Sequence, residues 1–354
     1  MVILTGFAIH VTYACPITCA HCALYCSPKN RFTLPINHIL ETIRNLPVST
    51  TKMVTFTGGE PFLLGRDLIS AVYEASHRGF MTRVVTNAYF AEDLATASNR
   101  LSALSNSGLH ELLISWDDYH TQYIPFASIR NAYWTAKDLG LKVAIYLVQA
   151  SNSSWTAERV KHELGGDTSA PHIIIGSPLN RTGRAEYNLQ HAGPSAKRVL
   201  GPCHYVLAGP ALSAKNKLLA CCGLIPETKA LVLDQNLEPN RLNAALEKGR
   251  QSLLLNWIFL RGPYAIMEWL SKRYRIPIID IKEVGGNCEA CHLLFNNKRL
   301  VSKIPYALNE NPDEIVDELQ LLRNLGIITP EAILSLWKDS STILDMSIIP
   351  DNSP

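Results

Sequence analysis

The sequence predicts an α/β fold in which a parallel sheet is built from six strand–helix units. Strand-like and helix-like runs alternate regularly through the first 180 residues, and this alternation gives parallel strands joined by right-handed crossovers. Three glycines also stand where a helix would end in left-handed backbone, namely Gly79, Gly108 and Gly140. From about residue 200 the alternation stops, which predicts a second, smaller domain.

The predicted elements follow one another in a regular order. Apolar, β-branched runs predict strands at 7–13, 53–56, 83–86, 110–115, 142–148 and 172–176. Four apolar residues at helical spacing predict a helix over 36–46. Asp67 is predicted to cap the next helix, which ends at Gly79, and two further helices are predicted to end near Gly108 and at Gly140.

The region after residue 200 is predicted to be mainly helical. A stretch over 239–275 is rich in Leu, Trp and Phe, and Arg261-Gly262-Pro263 should break it into two helices. After Cys291 we expect a helical hairpin whose helices open at Asn311-Pro312 and Thr329-Pro330. These patterns divide the chain into an α/β domain (1–195), a smaller domain with inserted helices (196–300), and a helical hairpin with a frayed tail (301–354).

The composition excludes several classes of protein. The chain has 354 residues, 47% of them hydrophobic, which is enough for one large core and a smaller one. A net charge of +2 gives no electrostatic basis for binding nucleic acid or an acidic membrane surface. No apolar stretch reaches the roughly 18 residues that cross a bilayer, and the N-terminus lacks the features of a signal peptide. We therefore expect a cytoplasmic protein whose nine cysteines, an odd number, serve metal binding rather than disulfides.

Three cysteines near the N-terminus carry the strongest functional signal. Cys15, Cys19 and Cys22 form a C-x3-C-x2-C run, and three such thiolates can hold three irons of a four-iron, four-sulfur cluster. The fourth iron then stays open for a substrate or cofactor. The alternative is a zinc site, which usually takes four protein ligands.

A glycine-rich turn follows these cysteines. Gly58, Gly59, Glu60 and Pro61 come about 35 residues later, at the end of the predicted second strand. Together the two motifs resemble the radical S-adenosylmethionine (SAM) superfamily. This resemblance implies a partial (β/α)6 TIM-like barrel, with a [4Fe-4S] cluster and SAM bound at the C-terminal strand ends. It also implies that Gly58 and Gly59 let backbone approach the methionine part of SAM.

Three more residues match positions that often contact SAM in that superfamily. Asn87 follows the third predicted strand, and Ser115 and Asp117 follow the fourth. A plain strand-end turn is the alternative interpretation at each position. His21, which precedes the third cysteine, is expected to pack beside the cluster or SAM.

A second cysteine set lies in the smaller domain. Cys203, Cys221, Cys288 and Cys291 make four thiolates, which would close a second [4Fe-4S] cluster completely. Asn216, five residues before Cys221, is a residue type that tolerates left-handed geometry. The arrangement resembles the shortened auxiliary-cluster domain called twitch, related to the SPASM domain. A structural zinc is the competing interpretation.

Several segments together resemble the radical SAM epimerases of epipeptide biosynthesis, the YydG type. These segments are residues 56–60, 115–120, 163–167, 221–222 and 288–296. The resemblance implies that L-residues of a ribosomal precursor peptide become D-residues, and that Cys222 returns a hydrogen atom. It also implies an electron donor such as flavodoxin or ferredoxin. An acidic residue that the family has shortly after the first auxiliary cysteine is absent after Cys203.

Competing functions remain for this set of motifs. One is a twitch-type dehydrogenase of a small alcohol or amino sugar, and another is a peptide cross-linking enzyme. A non-catalytic metal-binding scaffold is disfavoured by the Gly-Gly-Glu-Pro turn. Cys26, outside both ligand sets, is expected to be a small buried hydrophobe.

Overall fold

The computed structural model of the protein describes residues 6–165, 173–194, 200–222 and 228–310, together with Asp317 and Leu321. Several sequence predictions fall outside these residues. They concern His172 at the start of the sixth strand, Gly166 and Asp167, the boundary near residue 195, and the hairpin opening at Asn311-Pro312.

Six parallel strands form the main part of the sheet. They are β1 (Gly6–Thr12), β2 (Met53–Gly58), β3 (Met81–Thr86), β4 (Glu111–Ser115), β5 (Lys142–Gln149) and β6 (Ile173–Pro178). They lie in the order β6-β5-β4-β3-β2-β1, and each neighbouring pair is parallel. The predicted α/β fold with six parallel strands is therefore confirmed. Because the strands are parallel, all six C-terminal strand ends lie at the same end of the sheet.

Three short strands extend the same sheet beyond β1. They are β7 (Ala211–Leu212), β8 (Leu218–Leu219) and β9 (Val232–Asp234). β7 runs parallel to β1, whereas β8 and β9 are antiparallel to their neighbours. Asn216 lies in the turn between β7 and β8 with a φ of 60°, the left-handed geometry that its residue type tolerates. The smaller region is thus joined to the barrel sheet through backbone hydrogen bonds.

The helices of the first half connect the parallel strands, and those of the second half pack together. They are α1 (Ile36–Asn45), α2 (Arg66–His77), α3 (Leu94–Asn106), α4 (Phe126–Asp138), α5 (Ala157–Leu164), α6 (Ala185–Asn188), α7 (Leu242–Arg250), α8 (Leu253–Tyr274), α9 (Asn287–Asn296), α10 (Lys298–Val301) and α11 (Ile304–Glu310). Gly79, Gly108 and Gly140 have the predicted positive φ angles. No described helix is long and apolar enough to cross a bilayer.

The predicted cap of α2 is wrong. Asp67 lies within the first turn, and the capping position is Gly65. The reason is a short 3-10 turn over Pro61–Leu64, which leads into α2 through the left-handed Gly65. This turn starts the helix at Arg66, two residues earlier than a cap at Asp67 would.

Two hydrophobic cores support these elements. The larger lies between the parallel strands and α1–α4 and includes Ile9, Phe56 and Leu112. The smaller is formed mainly by α8 and α9, with Ile266 and Leu294 fully buried. The composition predicted this division into one large and one smaller core.

Gly262 breaks α8, as the Arg-Gly-Pro run predicted. Its φ of 76° and ψ of 161° are not helical. A Cβ at this position would lie 1.6 Å from the carbonyl oxygen of Gly201, so the kink allows α8 to approach the backbone just before Cys203. Cys203 itself donates its amide N–H to the carbonyl of Ile258, at 3.2 Å.

We predict that Gly262→Ala destabilises the fold more than Gly79→Ala does. Both glycines have positive φ, but no atom lies within 4 Å of the Cβ position at Gly79. Gly79→Ala should therefore cost only left-handed strain, about 1–2 kcal/mol. Urea unfolding of the two variants measures the difference, and equal losses would show that the Gly201 contact has no importance for stability.

Candidate active site at the ends of the parallel strands

The three N-terminal cysteines lie together in the loop that follows β1. Cys15 and Cys19 are buried and Cys22 is half-buried. Burial raises the pKa of the Cys15 thiol, and the neighbouring Glu60, Cys19 and Cys22 raise it further. The loop is closed locally by a bond from the Cys22 amide to the Cys19 carbonyl, at 3.2 Å. The predicted convergence of three thiols at one strand end is therefore present.

The end of β2 packs directly against this loop. Gly59 donates its amide N–H to the carbonyl of Thr12 at 2.6 Å, and Glu60 donates to that of Ala14 at 2.9 Å. A Cβ at Gly59 would lie 2.0 Å from the Ala14 carbonyl oxygen, and one at Gly58 would lie 2.4 Å from that of Thr12. Both glycines are thus required for backbone to approach the cysteine loop itself. Their predicted contact with SAM stays a prediction.

Glu60 holds the ends of β2 and β3 together. Its fully buried carboxylate accepts hydrogen bonds from the Phe62 amide (3.1 Å), the Thr86 hydroxyl (2.8 Å) and the Asn87 amide (2.9 Å). Burial raises the pKa of this carboxyl to about 7, against the lowering effect of those bonds. Pro61 begins the 3-10 turn that follows, where its missing amide hydrogen costs nothing.

Asn87 contacts the first cysteine directly. Its side-chain amide donates to the Cys15 sulfur at 3.5 Å, and its side-chain oxygen accepts from the Tyr89 amide at 3.0 Å. The next residue, Ala88, has a φ of 58°. The strained turn after β3 therefore orients an amide toward a candidate cluster ligand.

Asp117 belongs to a buried polar network beside the cysteine loop. Its carboxylate lies 2.8 Å from His120 Nδ1 and 3.4 Å from His21 Nε2, and it accepts from the Tyr119 amide at 2.9 Å. Burial would raise the pKa of Asp117, but His120 and His21 hold it at about 2. Burial lowers the pKa of His21 to about 4. Burial lowers the pKa of His120, but the nearby Asp117 carboxylate and Cys19 thiol together raise it well above its ordinary value.

The sequence analysis overlooked His120 as a functional residue. It stands three residues after Asp117, and this spacing at a strand end was the available signal. Ser115, at the end of β4, is half-buried and is the register partner of Tyr146 on β5. The predicted SAM contacts of Ser115 and Asp117 stay predictions.

The four cysteines of the smaller region also lie near one another. Burial raises the pKa of the Cys288 thiol, and the nearby thiols of Cys222, Cys203, Cys221 and Cys291 raise it further. Cys288 and Cys291 lie on α9, and Asn287 at the start of that helix bonds the backbone of Gly201 and Pro202, which precede Cys203. Three separate stretches of chain are thereby brought to one place.

One set of candidate metal ligands is closely spaced among the residues that the structure describes. Their ligand atoms lie within 4.8 Å of one another and belong to His21, Asp117 and His120. A tetrahedral zinc ion with Zn–S bonds of about 2.3 Å would need sulfurs about 3.8 Å apart. Zinc and an iron–sulfur cluster therefore stay the two alternative interpretations of the cysteine sets.

Cys222 lies near the second cysteine set: burial raises the pKa of the Cys288 thiol, and Cys222 is close enough to raise it further. Its carbonyl accepts from Nε2 of the buried His10 on β1, at 3.1 Å. Burial raises the pKa of the Tyr146 phenol to about 12, and Cys288, Cys222 and Asp117 contribute to that rise. Tyr146 on β5 is therefore close to the polar network of the first set and to the thiols of the second.

Comparisons with known proteins agree with this geometry. Residues 9–142 match the Radical SAM superfamily. The peptide biosynthesis protein YydG of Bacillus subtilis (strain 168) is 21% identical over 322 residues, which cover 86% of this chain and 97% of that protein. The structure of native anSMEcpe with bound AdoMet and Cp18Cys peptide aligns with a TM-score of 0.51 at 11% identity, covering 90% of this chain and 99% of that one. At that identity the structural likeness shows the fold alone. The resemblance read from the sequence motifs is confirmed.

We predict that Gly59→Ala lowers the iron bound at the three-cysteine loop, because the added Cβ would displace the Ala14 backbone next to Cys15. Gly65→Ala is the matched control, since Gly65 ends the same turn and no atom lies within 4 Å of its Cβ position. Iron and sulfide analysis after anaerobic reconstitution measures the effect. A Gly59→Ala protein with the parent's iron content would contradict this interpretation of the turn.

Proposed function

We propose that this chain, in which residues 9–142 form a radical SAM domain, inverts α-carbons of a ribosomal precursor peptide from the L to the D configuration. The observation that carries the proposal is Cys222, a thiol outside both ligand sets, positioned beside Cys288 and Tyr146. The 21% identity to a peptide biosynthesis protein over most of the chain supports a peptide substrate.

Cys15, Cys19 and Cys22 would hold a [4Fe-4S] cluster with one open iron, and Cys203, Cys221, Cys288 and Cys291 would hold a closed one. The clustered thiols, each buried or half-buried, fit both groups. With that cluster and one electron from a donor, SAM would supply a 5′-deoxyadenosyl radical able to remove a hydrogen atom from carbon, with methionine released. Gly58, Gly59, Glu60, Pro61, Asn87, Ser115 and Asp117 would form the surroundings of that cofactor.

Inversion requires a hydrogen atom to be returned on the face opposite to the one from which it was taken. In our proposal the Cys222 S–H bond breaks, its hydrogen atom forms the new C–H bond, and a thiyl radical remains on Cys222. One electron and one proton restore the thiol. An electron donor such as flavodoxin or ferredoxin supplies the electron.

The chain's own residues keep Cys222 in place for this step. His10 Nε2 donates to the Cys222 carbonyl, and its Nδ1 lies 3.4 Å from the Tyr13 hydroxyl, which fixes the imidazole orientation. The neighbouring Tyr146, whose pKa burial raises to about 12, is a neutral phenol at neutral pH. His10 therefore holds the backbone of Cys222, and the Tyr146 side chain adds no charge near its thiol.

The competing oxidation and cross-linking reactions would use the same ligand sets and leave Cys222 without a role. His204, which stands in the region where the epimerase resemblance has an acidic residue, packs edge-on against Phe259 with ring centroids 5.4 Å apart. Burial lowers its pKa. This position therefore offers no negative charge to a substrate, and the choice among the three reactions rests on Cys222.

We predict that the anaerobically reconstituted protein binds about eight irons, four for each proposed cluster. Replacing Cys15, Cys19 and Cys22 together with Ala should leave about four irons and abolish SAM cleavage. Replacing Cys288 and Cys291 should remove the other four. Iron and sulfide analysis measures both, and an iron content near four in the parent would reject the second cluster.

We predict that reaction in deuterated water places one solvent deuterium on an inverted α-carbon, because a thiol exchanges its hydrogen with solvent. The substrate is a synthetic peptide whose sequence is taken from a short open reading frame next to the gene, where the genome carries one. Cys222→Ala should bind both clusters and cleave SAM, yet form no D-residue. Cys222→Ser is the matched variant, since its stronger O–H bond cannot give up a hydrogen atom to the carbon radical.

Mass spectrometry and chiral amino-acid analysis measure these outcomes. A dehydrogenase would instead release a product that has lost two hydrogens, and it would tolerate Cys222→Ala. Normal formation of D-residues by Cys222→Ala would reject Cys222 as the donor.

A further inference from the structure

The loop that follows β6 contacts both cysteine sets. This loop, residues 180–184, is called here the bridging loop. It begins two residues after the end of β6 and leads into α6. None of its residues belongs to either ligand set, and the sequence analysis assigned it no role.

Arg184, at the end of the bridging loop, forms hydrogen bonds with the loop that carries Cys15, Cys19 and Cys22. Its guanidinium donates to the carbonyls of Cys19 (2.9 Å) and Cys26 (2.7 Å), and its amide donates to the carbonyl of Cys22 (3.1 Å). The preceding Gly183 has a φ of 59°, and a Cβ there would lie 2.4 Å from the carbonyl oxygen of Ala23. One residue thus binds three carbonyls of a loop that carries candidate ligands.

Arg181, near the start of the bridging loop, binds helix α9 through an ion pair. Its guanidinium donates to the Glu289 carboxylate through Nε at 2.7 Å, and Nη2 lies 2.6 Å from the same oxygen. The Arg181 amide donates to the second carboxylate oxygen at 2.8 Å. Asn180 also accepts from the Glu289 amide, at 3.1 Å. Charged, two-pronged contacts of this kind are among the strongest in proteins.

Glu289 stands between Cys288 and Cys291, and it is buried. A buried carboxylate beside several candidate thiolates is electrostatically unfavourable unless it is paired. Arg181 provides that pair, so the contact explains why an acidic residue can occupy this position. Removing Arg181 would leave an uncompensated charge on the buried Glu289, and removing Glu289 would leave the half-buried Arg181 without its ion pair.

We propose that the bridging loop holds the two cysteine sets at one fixed separation, with Arg181, Arg184 and Glu289 as positioning residues. Three peptide units separate Arg181 from Arg184, a span of at most about 10 Å in extended backbone. A disturbance at one end of so short a segment reaches the other. The consequence for turnover, that the second cluster stays aligned with Cys222 and the first, rests on the proposed function.

The test measures the reactivity of each cysteine in the full-length protein. The anaerobically reconstituted chain is treated with an iron chelator and iodoacetamide, and mass spectrometry gives an alkylation rate for every cysteine. Glu289→Gln should speed alkylation of Cys288 and Cys291 and also, through the bridging loop, of Cys19 and Cys22, by about tenfold at each set. Arg181→Ala should do the same.

Two variants control for charge and for folding. Glu283→Gln removes an exposed carboxylate from the turn before α9. Arg181 hydrogen-bonds the backbone carbonyl of Glu283 rather than its side chain, so this variant should leave all alkylation rates unchanged. Arg181→Lys keeps the positive charge but loses the guanidinium group that bonds Glu289 through two nitrogens. Its alkylation rates should lie between those of the parent and Arg181→Ala. If Arg181→Ala does not fold, the rates of Arg181→Lys test the proposal.

Acceleration confined to Cys288 and Cys291 in Glu289→Gln and Arg181→Lys would overturn the proposal, and so would unchanged rates. Failure of the proposed function can be told apart from failure of this proposal. A chain that takes up no iron still gives alkylation rates, and its variants should still show faster alkylation at both cysteine sets. In turnover, Arg181→Lys should yield severalfold less product per deoxyadenosine than the parent. A parent-like ratio would overturn the consequence for turnover.

Discussion

The candidate active site depends on backbone packed against backbone at the end of β2. Gly59 and Glu60 bond to the carbonyls of Thr12 and Ala14, and two glycines leave no side chain between the segments. This contact fixes the path of the chain just before Cys15. Glu60 then connects the same turn to β3 through Thr86 and Asn87, and Asn87 reaches the Cys15 sulfur. A single motif therefore shapes the cysteine loop before any cofactor is considered.

The smaller region reaches the barrel by two routes. Strand β7 pairs with the free edge of β1, and the bridging loop connects β6 to α9. These strands lie at opposite ends of the six-stranded parallel sheet. The four-cysteine set is thereby tied to both edges, and Cys222 lies near His10 on β1 and Tyr146 on β5.

Much of the fold followed from local patterns in the sequence. The six strands were predicted because each is a short apolar run, and the breaks at Gly79, Gly108, Gly140 and Gly262 were predicted because left-handed backbone favours glycine. The cysteine spacing likewise predicts both ligand sets, and these assignments stay predictions. The capping role of Asp67 failed because a 3-10 turn shifted the helix start, which no local propensity signals.

The contacts that position the site could not be predicted in this way. Arg181 and Glu289 are 108 residues apart, and Arg184 is 165 residues from Cys19. Such pairs form only when the topology brings distant segments together, and a single sequence contains no periodicity that marks them. His120 was nearer to detection, because it shares a short polar run with Asp117.

The central claim is that the chain carries one open and one closed iron–sulfur site. Electron paramagnetic resonance of the reduced, reconstituted protein during a SAM titration tests it most directly. We predict two cluster signals. SAM should shift one of them, and this signal should disappear when Cys15, Cys19 and Cys22 are replaced. The other signal should not respond to SAM and should disappear when Cys288 and Cys291 are replaced. Two signals that both respond to SAM, or a single signal in the intact protein, would contradict this claim.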